Sequence, residues 1–494
     1  MDYINKLKII RSAAGPKLTM GLSDVTIKKF INTEADLRYA IDSAHALFNS
    51  LGEDIKNIFR LSEGSAIRAV QEGYLNFYDS DTVNPYIALS GKGPWIITAH
   101  GAVVHDSGGY GMLGFGHCND KIMEAISRPQ VMANIMTANI SQKKLVDALR
   151  REIGHSRETD KEPYGKFLCL NSGSESVTVA ARISDIKAKQ MTDEGGKYYG
   201  RKIKFLSMKG SFHGRTERPA QASDSSAKNY KKLASFREDR LITVELNNLE
   251  SLRAAFETAE KENVFIEMMF LEPVMGEGNP GVGVSREFYD ESRSLTKEHG
   301  SLLLIDSIQA GLRTNGCLSI CDYPGFEDCE APDMETFSKA INGGQYPLSV
   351  LALRAEVADI YSLGLYGNTM TTNPRALDVA VATLDMVTPE LRKNILDRGL
   401  EFKNKLNDIK NDFPEAVTGV TGTGLLFALH LNPDGYLVVG KEGVETYLRK
   451  KGIGVIHGGK NALRFTPHFN ITSEEIDLVI SEIRKALGIG KVFS

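Results

Sequence analysis

The sequence lacks any uninterrupted apolar run of the roughly 20 residues needed to cross a bilayer as a helix, so no membrane association is expected. Its first residues, "MDYINKLKIIRSAAGPKLTM", carry two early lysines but no continuous apolar core. No secretory leader is therefore read there. Cysteine is scarce: Cys118, Cys169, Cys317, Cys321 and Cys329 form an odd set with no CxxC pair. That set offers no disulfide framework and suits a reducing compartment such as the cytoplasm. Cys317, Cys321 and Cys329 lie close together, but no histidine stands near them, so no metal site is expected. Neither charge sign dominates, with 59 basic against 63 acidic side chains. Without a basic stripe, nucleic acid is not an expected partner. GxGxxG after the first strand and GxxxxGK[ST] are also missing, which removes a simple nucleotide-binding reading.

What is present is bulk and pattern. A chain of 494 residues with 42% hydrophobic content can bury a large core and build two or three domains. Residues 1–94 read as a helical arm. In "TEADLRYAIDSAHALFNSL", Leu37, Ile41, Ala44, Leu47, Phe48 and Leu51 share one helical stripe, and Thr33 with Asp36 suggests a helix start. Residues 95–124 hold two short β-rich runs around Gly101 and a glycine-dense loop, "HDSGGYGMLGFGH". Residues 125–375 alternate helical segments with the apolar runs 166–170, 202–208, 265–274, 301–309 and 334–340. Such runs predict a mainly parallel sheet covered on both faces. Residues 376–494 mix helices with "GLLFALHL" and "ALRFTPHF" and read as a smaller α+β domain.

In an open parallel sheet, ligands bind beyond the carboxyl ends of the strands. Here polar residues collect at those ends. "FLCL" runs into Asn171-Ser172-Gly173-Ser174-Glu175, a turn before a helix. It could hold a phosphate on backbone N–H groups or simply cap the helix. "KIKFLSMKGS" leads to Phe212-His213-Gly214-Arg215, "MMFL" to Glu272, "LLLI" to Asp306 with Gln309 following, and the last run to Lys339. A phosphate cradle, an aromatic plate, a carboxylate and a lysine together match the needs of pyridoxal 5'-phosphate.

These stretches resemble the class III (ω-) aminotransferases of the fold-type I pyridoxal-phosphate enzymes, from about Trp95 to the C-terminus. "LNSGSESVTVAARI" is similar to the family's phosphate loop, which implies phosphate contacts from Gly173 and Ser174. "SFHGRT" implies Phe212 on the cofactor ring with His213 nearby. "EPVMGEGN" resembles "EPVQGEGG" and carries Glu272 and Glu277. "LLLIDSIQAGLRTNG" resembles "DEVQxGxGRTG", implying Asp306 at the pyridine nitrogen and Gln309 near the ring hydroxyl. "FSKAINGGQYPLS" implies Lys339 as the Schiff-base lysine. "YGNTMTTNP" resembles "HGSTFGGNP" and implies that Thr369 reaches the phosphate of a neighbouring subunit's cofactor, hence a homodimer with shared sites. "LRFTPHFNIT" resembles "RFxPPLxI" and implies that Arg464 binds a substrate carboxylate. In relatives a glutamate matching Glu277 pairs with this arginine, and Arg215 is a candidate for a distal carboxylate. Ser307, Met275 and Thr371-Thr372 depart from the family pattern.

The implied reaction moves an amino group, usually a terminal one, from a small-molecule amine donor to a 2-oxo acid such as 2-oxoglutarate in a ping-pong sequence. Lys339 would serve as general base and acid, and Asp306 would keep the ring nitrogen protonated. The same scaffold also hosts aminomutases, racemases, a decarboxylating enzyme and non-catalytic binders, since fold does not fix reaction.

Overall fold

The computed structural model describes residues 2–109 and 111–489. The chain divides into two compact units. One comprises Met1–Asp120, Asp397–Thr421 and Phe427–Ser494; the other comprises Lys121–Leu396 and Gly422–Leu426.

The first unit opens with helices Tyr3–Ala13, Asp24–Thr33, Ala35–Ser50, Glu53–Phe59 and Glu63–Val70. Ser23 starts the second by accepting the Thr26 N–H. Thr33 is not a helix start: it closes that helix, and Glu34 takes the N-cap position of the next without a side-chain cap. Leu37, Ala40, Ile41, Ala44 and Phe48 are buried along the third helix, whereas Leu47 is exposed. The inward stripe is thus the i, i+3, i+4 row through Leu37 and Ile41, and Leu47 sits at its edge. Three antiparallel strands follow: β1 (Ala88–Lys92), β2 (Trp95–Thr98) and β3 (Val103–Asp106). Trp95, the only tryptophan, is fully buried, with its ring centroid 5.1 Å from that of Phe30 on the second helix.

The second unit is built on a seven-stranded sheet of β4 (Lys166–Leu170), β5 (Lys202–Met208), β6 (Leu241–Val244), β7 (Val264–Leu271), β8 (Leu302–Asp306), β9 (Met334–Phe337) and β10 (Ser349–Leu353). Their order is β4-β10-β9-β8-β7-β5-β6. Strands β5 to β9 pair in parallel, and β10 lies antiparallel between β4 and β9. Every residue of β7 and β8 is buried. Met268, Phe270, Leu302 and Leu304 pack on one face with helix Gly173–Thr192. Met269, Leu271, Leu303 and Ile305 pack on the other with helices Leu249–Lys261 and Arg286–His299. The two-residue period of a strand therefore feeds two cores at once.

Three of the strands are shorter than their apolar runs suggest, while β4 and β5 coincide with theirs. β7 stops before Glu272, β8 stops at Asp306, and β9 stops at Phe337. Lys339 opens a short 3₁₀ turn, Lys339–Asn342, with φ +46°. β6 and β10 have no counterpart among the five expected runs. β6 is a half-exposed edge strand, and β10 is only five residues of "SVLAL".

The chain re-enters the first unit at Asp397, within helix Pro389–Asp412, and goes on to β11 (Val417–Thr423), β12 (Leu426–Leu431), β13 (Ile453–Gly454), β14 (Ile456–Gly458) and β15 (Ala462–Phe465). β13 adds in parallel to β3, and the last sheet runs β11-β12-β15-β14. Helix Ser473–Gly488 closes this part of the unit.

The turn Gly422–Leu426 belongs to the second unit, where the Leu425 N–H bonds the Arg313 carbonyl at 2.9 Å. Gly424 there has φ +51°, and a Cβ on it would lie 1.8 Å from the Thr314 carbonyl oxygen. Left-handed backbone alone costs a side chain about 1–2 kcal/mol. Gly424→Ala should therefore lower stability by about 2 kcal/mol or more, read as a lower urea midpoint with unchanged slope.

Candidate active site

Helix Gly173–Thr192 begins in a capping box: Ser172 accepts the Glu175 N–H, and the Glu175 side chain accepts the Ser172 N–H. The first N–H groups of such a helix lack intrahelical acceptors and carry the positive end of its dipole. Gly173 and Ser174 place that end on a cavity of about 220 Å³. Ile308 fills the space beside Gly173, since a Cβ there would come 2.6 Å from its Cδ1. The loop after β5 is pressed onto the same helix end. Gly214 has φ +123°, and a Cβ on it would meet Ser174 Oγ at 2.4 Å. Ser174 Oγ accepts the Arg215 N–H at 3.0 Å.

Three buried carboxyl groups define the floor and its support. Glu272, just past β7, accepts the Phe212 N–H at 3.0 Å and the Gly276 N–H at 2.8 Å. It thereby sets the Phe212 backbone, and Phe212 lines the cavity. Asp306, at the end of β8, faces His213 Nδ1 at 2.9 Å through one oxygen and accepts the Ile308 N–H through the other. Facing an acceptor-only carboxylate, the His213 ring carries its proton on Nδ1. Behind them, Glu335 on β9 is fully buried and accepts from Ser307 and Ser319 at 2.5 Å each, Tyr164 at 2.8 Å and the Ile320 N–H at 3.0 Å. Ser307 thus has a reason in this chain: next to Glu335 the position needs a donor, and a second carboxylate would repel it.

Lys339 is partly buried on the cavity wall, and its Nζ donates to Gln309 Oε1. The positive φ of Lys339 turns the chain sharply out of β9. A non-glycine residue in that region is uncommon and marks a position held by its surroundings.

The cavity gathers Gly173, Ser174, Phe212, His213, Glu272, Glu277, Asp306, Gln309 and Lys339, which the sequence singles out, and also Ser172, Ile308 and Ser338, which it does not assign a role there. Arg215 is exposed and sits over the Phe212 ring, 5.3 Å from its centroid, outside the lining. Thr369 is exposed and also outside the lining. Its segment is nonetheless tied to the helix start: Tyr366 Oη and Asn368 Nδ2 both donate to Glu175 Oε1. Arg464 lies in the first unit, buried on β15 opposite Ala428 and Ile456.

Pyridoxal phosphate fits these residues. The helix start offers N–H donors to a phosphate, Phe212 offers a ring, Asp306 a carboxylate and Lys339 an amine. Two further buried polar atoms on the wall, His213 Nε2 and Gln309 Nε2, have no hydrogen-bond partner among the described residues. Buried groups of this kind call for a polar ligand.

A doubly covered sheet with aspartate and lysine at the ends of adjacent strands defines a fold-type I pyridoxal-phosphate enzyme. The family model "Aminotransferase class-III" matches residues 77–487, and the chain belongs to that family of transaminases. An ornithine aminotransferase of Staphylococcus carnosus is 28% identical over 404 residues, 81% of this chain and 94% of the relative. An ornithine aminotransferase 2 of Staphylococcus aureus is 28% identical over 411 residues, 81% of this chain and 93% of the relative. The crystal structure of an ornithine aminotransferase from Toxoplasma gondii superposes with a TM-score of 0.73 at 23% identity, over 88% of this chain and 98% of that one. Among the described residues no helix is long and apolar enough to cross a membrane.

Burial pushes the Glu272 carboxyl up to about 7, His213 opposing and the Asp306 charge adding to the rise. The unfolded chain titrates near 4.5, so the folded protein holds this proton longer. Its contribution to stability is complete below pH 4.5 and is lost as pH rises through 7. The loss is at most about 3 kcal/mol. Glu267 and Glu335, also raised to about 7, act in the same sense. Cofactor-free Glu272→Gln should therefore lose less stability than wild type between pH 5 and pH 8, measured by urea unfolding at each pH.

Proposed function

We propose that this enzyme takes the terminal amino group of a diamino acid of the ornithine type and passes it to a 2-oxo acid such as 2-oxoglutarate. The observation that carries the reading is Lys339 Nζ on the same cavity wall as the Asp306–His213 pair and the start of helix Gly173–Thr192. Pyridoxal phosphate, when bound, supplies a carbonyl that joins the amine and a ring that takes up the electrons of the broken C–H bond.

Gly173 and Ser174 would hold the phosphate on backbone N–H groups. Phe212 would cover one ring face. Asp306, oriented by its contact with His213 Nδ1, would hold a proton on the ring nitrogen. Gln309 and His213 Nε2 would bond the remaining polar edge. Lys339 Nζ would hold the cofactor's carbonyl end between turnovers, carry a proton away from the donor carbon and return one at the acceptor carbon. Arg464 would clamp the carboxylate beside the reacting carbon of the 2-oxo acid, and Glu277 would occupy that arginine when a terminal amine is bound. This part rests on the resemblance of "LRFTPHFNIT" and "EPVMGEGN" to the family motifs. So does the homodimer, in which Thr369 would serve the partner's cofactor. Arg215 is the candidate for a distal carboxylate. The cysteine set supports a cytoplasmic setting.

The test is glutamate formed from 2-oxoglutarate with ornithine, lysine or 4-aminobutyrate as donor, alongside the visible spectrum. Ornithine should be the best donor. Lys339→Ala should bind the cofactor without the lysine-linked visible band and turn over roughly 10³-fold more slowly or worse. An undiminished rate in Lys339→Ala removes the lysine assignment. A bound cofactor with no glutamate from any terminal amine, but a rearranged, racemised or decarboxylated product, removes this donor and acceptor reading.

A further inference from the structure

The first unit buries a polar cluster of its own, to which the amino-transfer reading gives no role. His105 is on β3, His468 follows β15, and Glu475 lies in the first turn of helix Ser473–Gly488. Their exposures are 0%, 8% and 1%. The candidate ligand atoms of all three lie within 4.8 Å of one another.

The spacing within the cluster is informative. His105 Nε2 is 3.3 Å from Glu475 Oε1, and His468 Nε2 is 3.3 and 3.2 Å from the two carboxylate oxygens. Charge-assisted N–H···O⁻ bonds run shorter, about 2.7–2.9 Å. Donor atoms bound at about 2.0–2.2 Å around one tetrahedral ion stand roughly 3.3 Å apart. His105 Nδ1 is 3.1 Å from Ser107 Oγ, the kind of outer contact that fixes a ligating ring. Trp95 also packs edge-on against the His105 ring at 5.0 Å. Glu475 Oε2 accepts the Thr472 N–H at 2.8 Å as part of a capping box, which orients the carboxylate independently of the histidines. Where the family motif "RFxPPLxI" has its second proline, this chain has His468.

We propose that His105, His468 and Glu475 form a binding site for a divalent metal ion of the zinc class, one per chain. Two imidazole nitrogens and one carboxylate oxygen suit that class of ion. Because the three ligands come from separate segments, the ion would staple β3, the strand-to-helix connection after β15 and helix Ser473–Gly488. The site is independent of the amino-transfer reading.

The test uses tag-free full-length protein with its cofactor, freed of metal by chelator dialysis and then titrated with Zn(II) or Co(II). Metal content by elemental analysis, the Co(II) absorption and the thermal midpoint are followed. Glu475→Gln keeps a capping-box residue at N3 while removing the anionic ligand, and His468→Pro restores the family residue. Wild type should take up one ion per chain, gain a Co(II) band and melt at higher temperature with Zn(II). Both variants should keep the cofactor spectrum and bind at least tenfold more weakly. A wild type that takes up no Zn(II), or uptake and melting identical in wild type and Glu475→Gln, overturns the proposal and leaves a hydrogen-bonded charge network.

Discussion

A carboxylate buried in the middle of a sheet must be met by hydrogen-bond donors, and the second unit is organised around four such groups. Glu267, Glu272, Asp306 and Glu335 stand on or just beyond three adjacent strands, β7, β8 and β9, with exposures from 0% to 4%. An uncompensated ion at any of these places would cost several kcal/mol. Strand backbones spend their N–H groups on one another, so the donors must come from loops and covering helices. Arg218 and Ser184 meet Glu267. Phe212 and Gly276 N–H groups meet Glu272, and His213 meets Asp306. The loop after β5 therefore cannot wander. One backbone N–H and one imidazole pin it to two neighbouring strands, and this fixes Phe212 and His213 on the cavity.

The same demand explains how polar groups are held beneath the cavity. Asp306 is held at the cavity by His213 Nδ1 against one oxygen and the Ile308 N–H on the other. Glu335 lies one strand away, saturated by three hydroxyl groups and one N–H. Ser307 joins the two systems, since it follows Asp306 directly and donates to Glu335. A change in that residue type relative to the family pattern is then a change in the support beneath the cavity, not in its lining.

Much of this was legible in the sequence because a parallel sheet writes its strands as apolar runs and its site as the polar residues that end them. β4, β5, β7 and β8 emerge from such runs, and Glu272, Asp306 and Lys339 from their ends. The hidden parts share a physical cause. β10 is five residues long and β6 is a half-exposed edge, so neither shows a distinctive period. Thr33 looks like a cap because threonine suits that position, yet the preceding helix, started by Ser23, runs through it. Glu335 reads as one charged residue in a short strand, and its donors come from three other segments. His105 and Glu475 are 370 positions apart, so no spacing rule could pair them. The roles of Thr369 and Arg464 were read from motif likeness alone, since neither side chain lines the cavity of the second unit.

The N-terminal arm follows the rule that shapes the sheet. The family match begins at residue 77, so most of the arm precedes it. Even so, the arm is integral to the first unit. Glu63 is fully buried and accepts the Leu18 and Thr19 N–H groups at 2.7 and 2.6 Å, closing the arm on itself. Arg11 reaches the Gly101 carbonyl in the turn between β2 and β3. Phe30 packs on Trp95, and Trp95 in turn packs on His105. An arm that supplies the cover for the only tryptophan, and through it the wall of the His105–Glu475–His468 cluster, is a load on the fold of the unit that carries Arg464. Its sequence is constrained by that packing whether or not it ever touches a substrate.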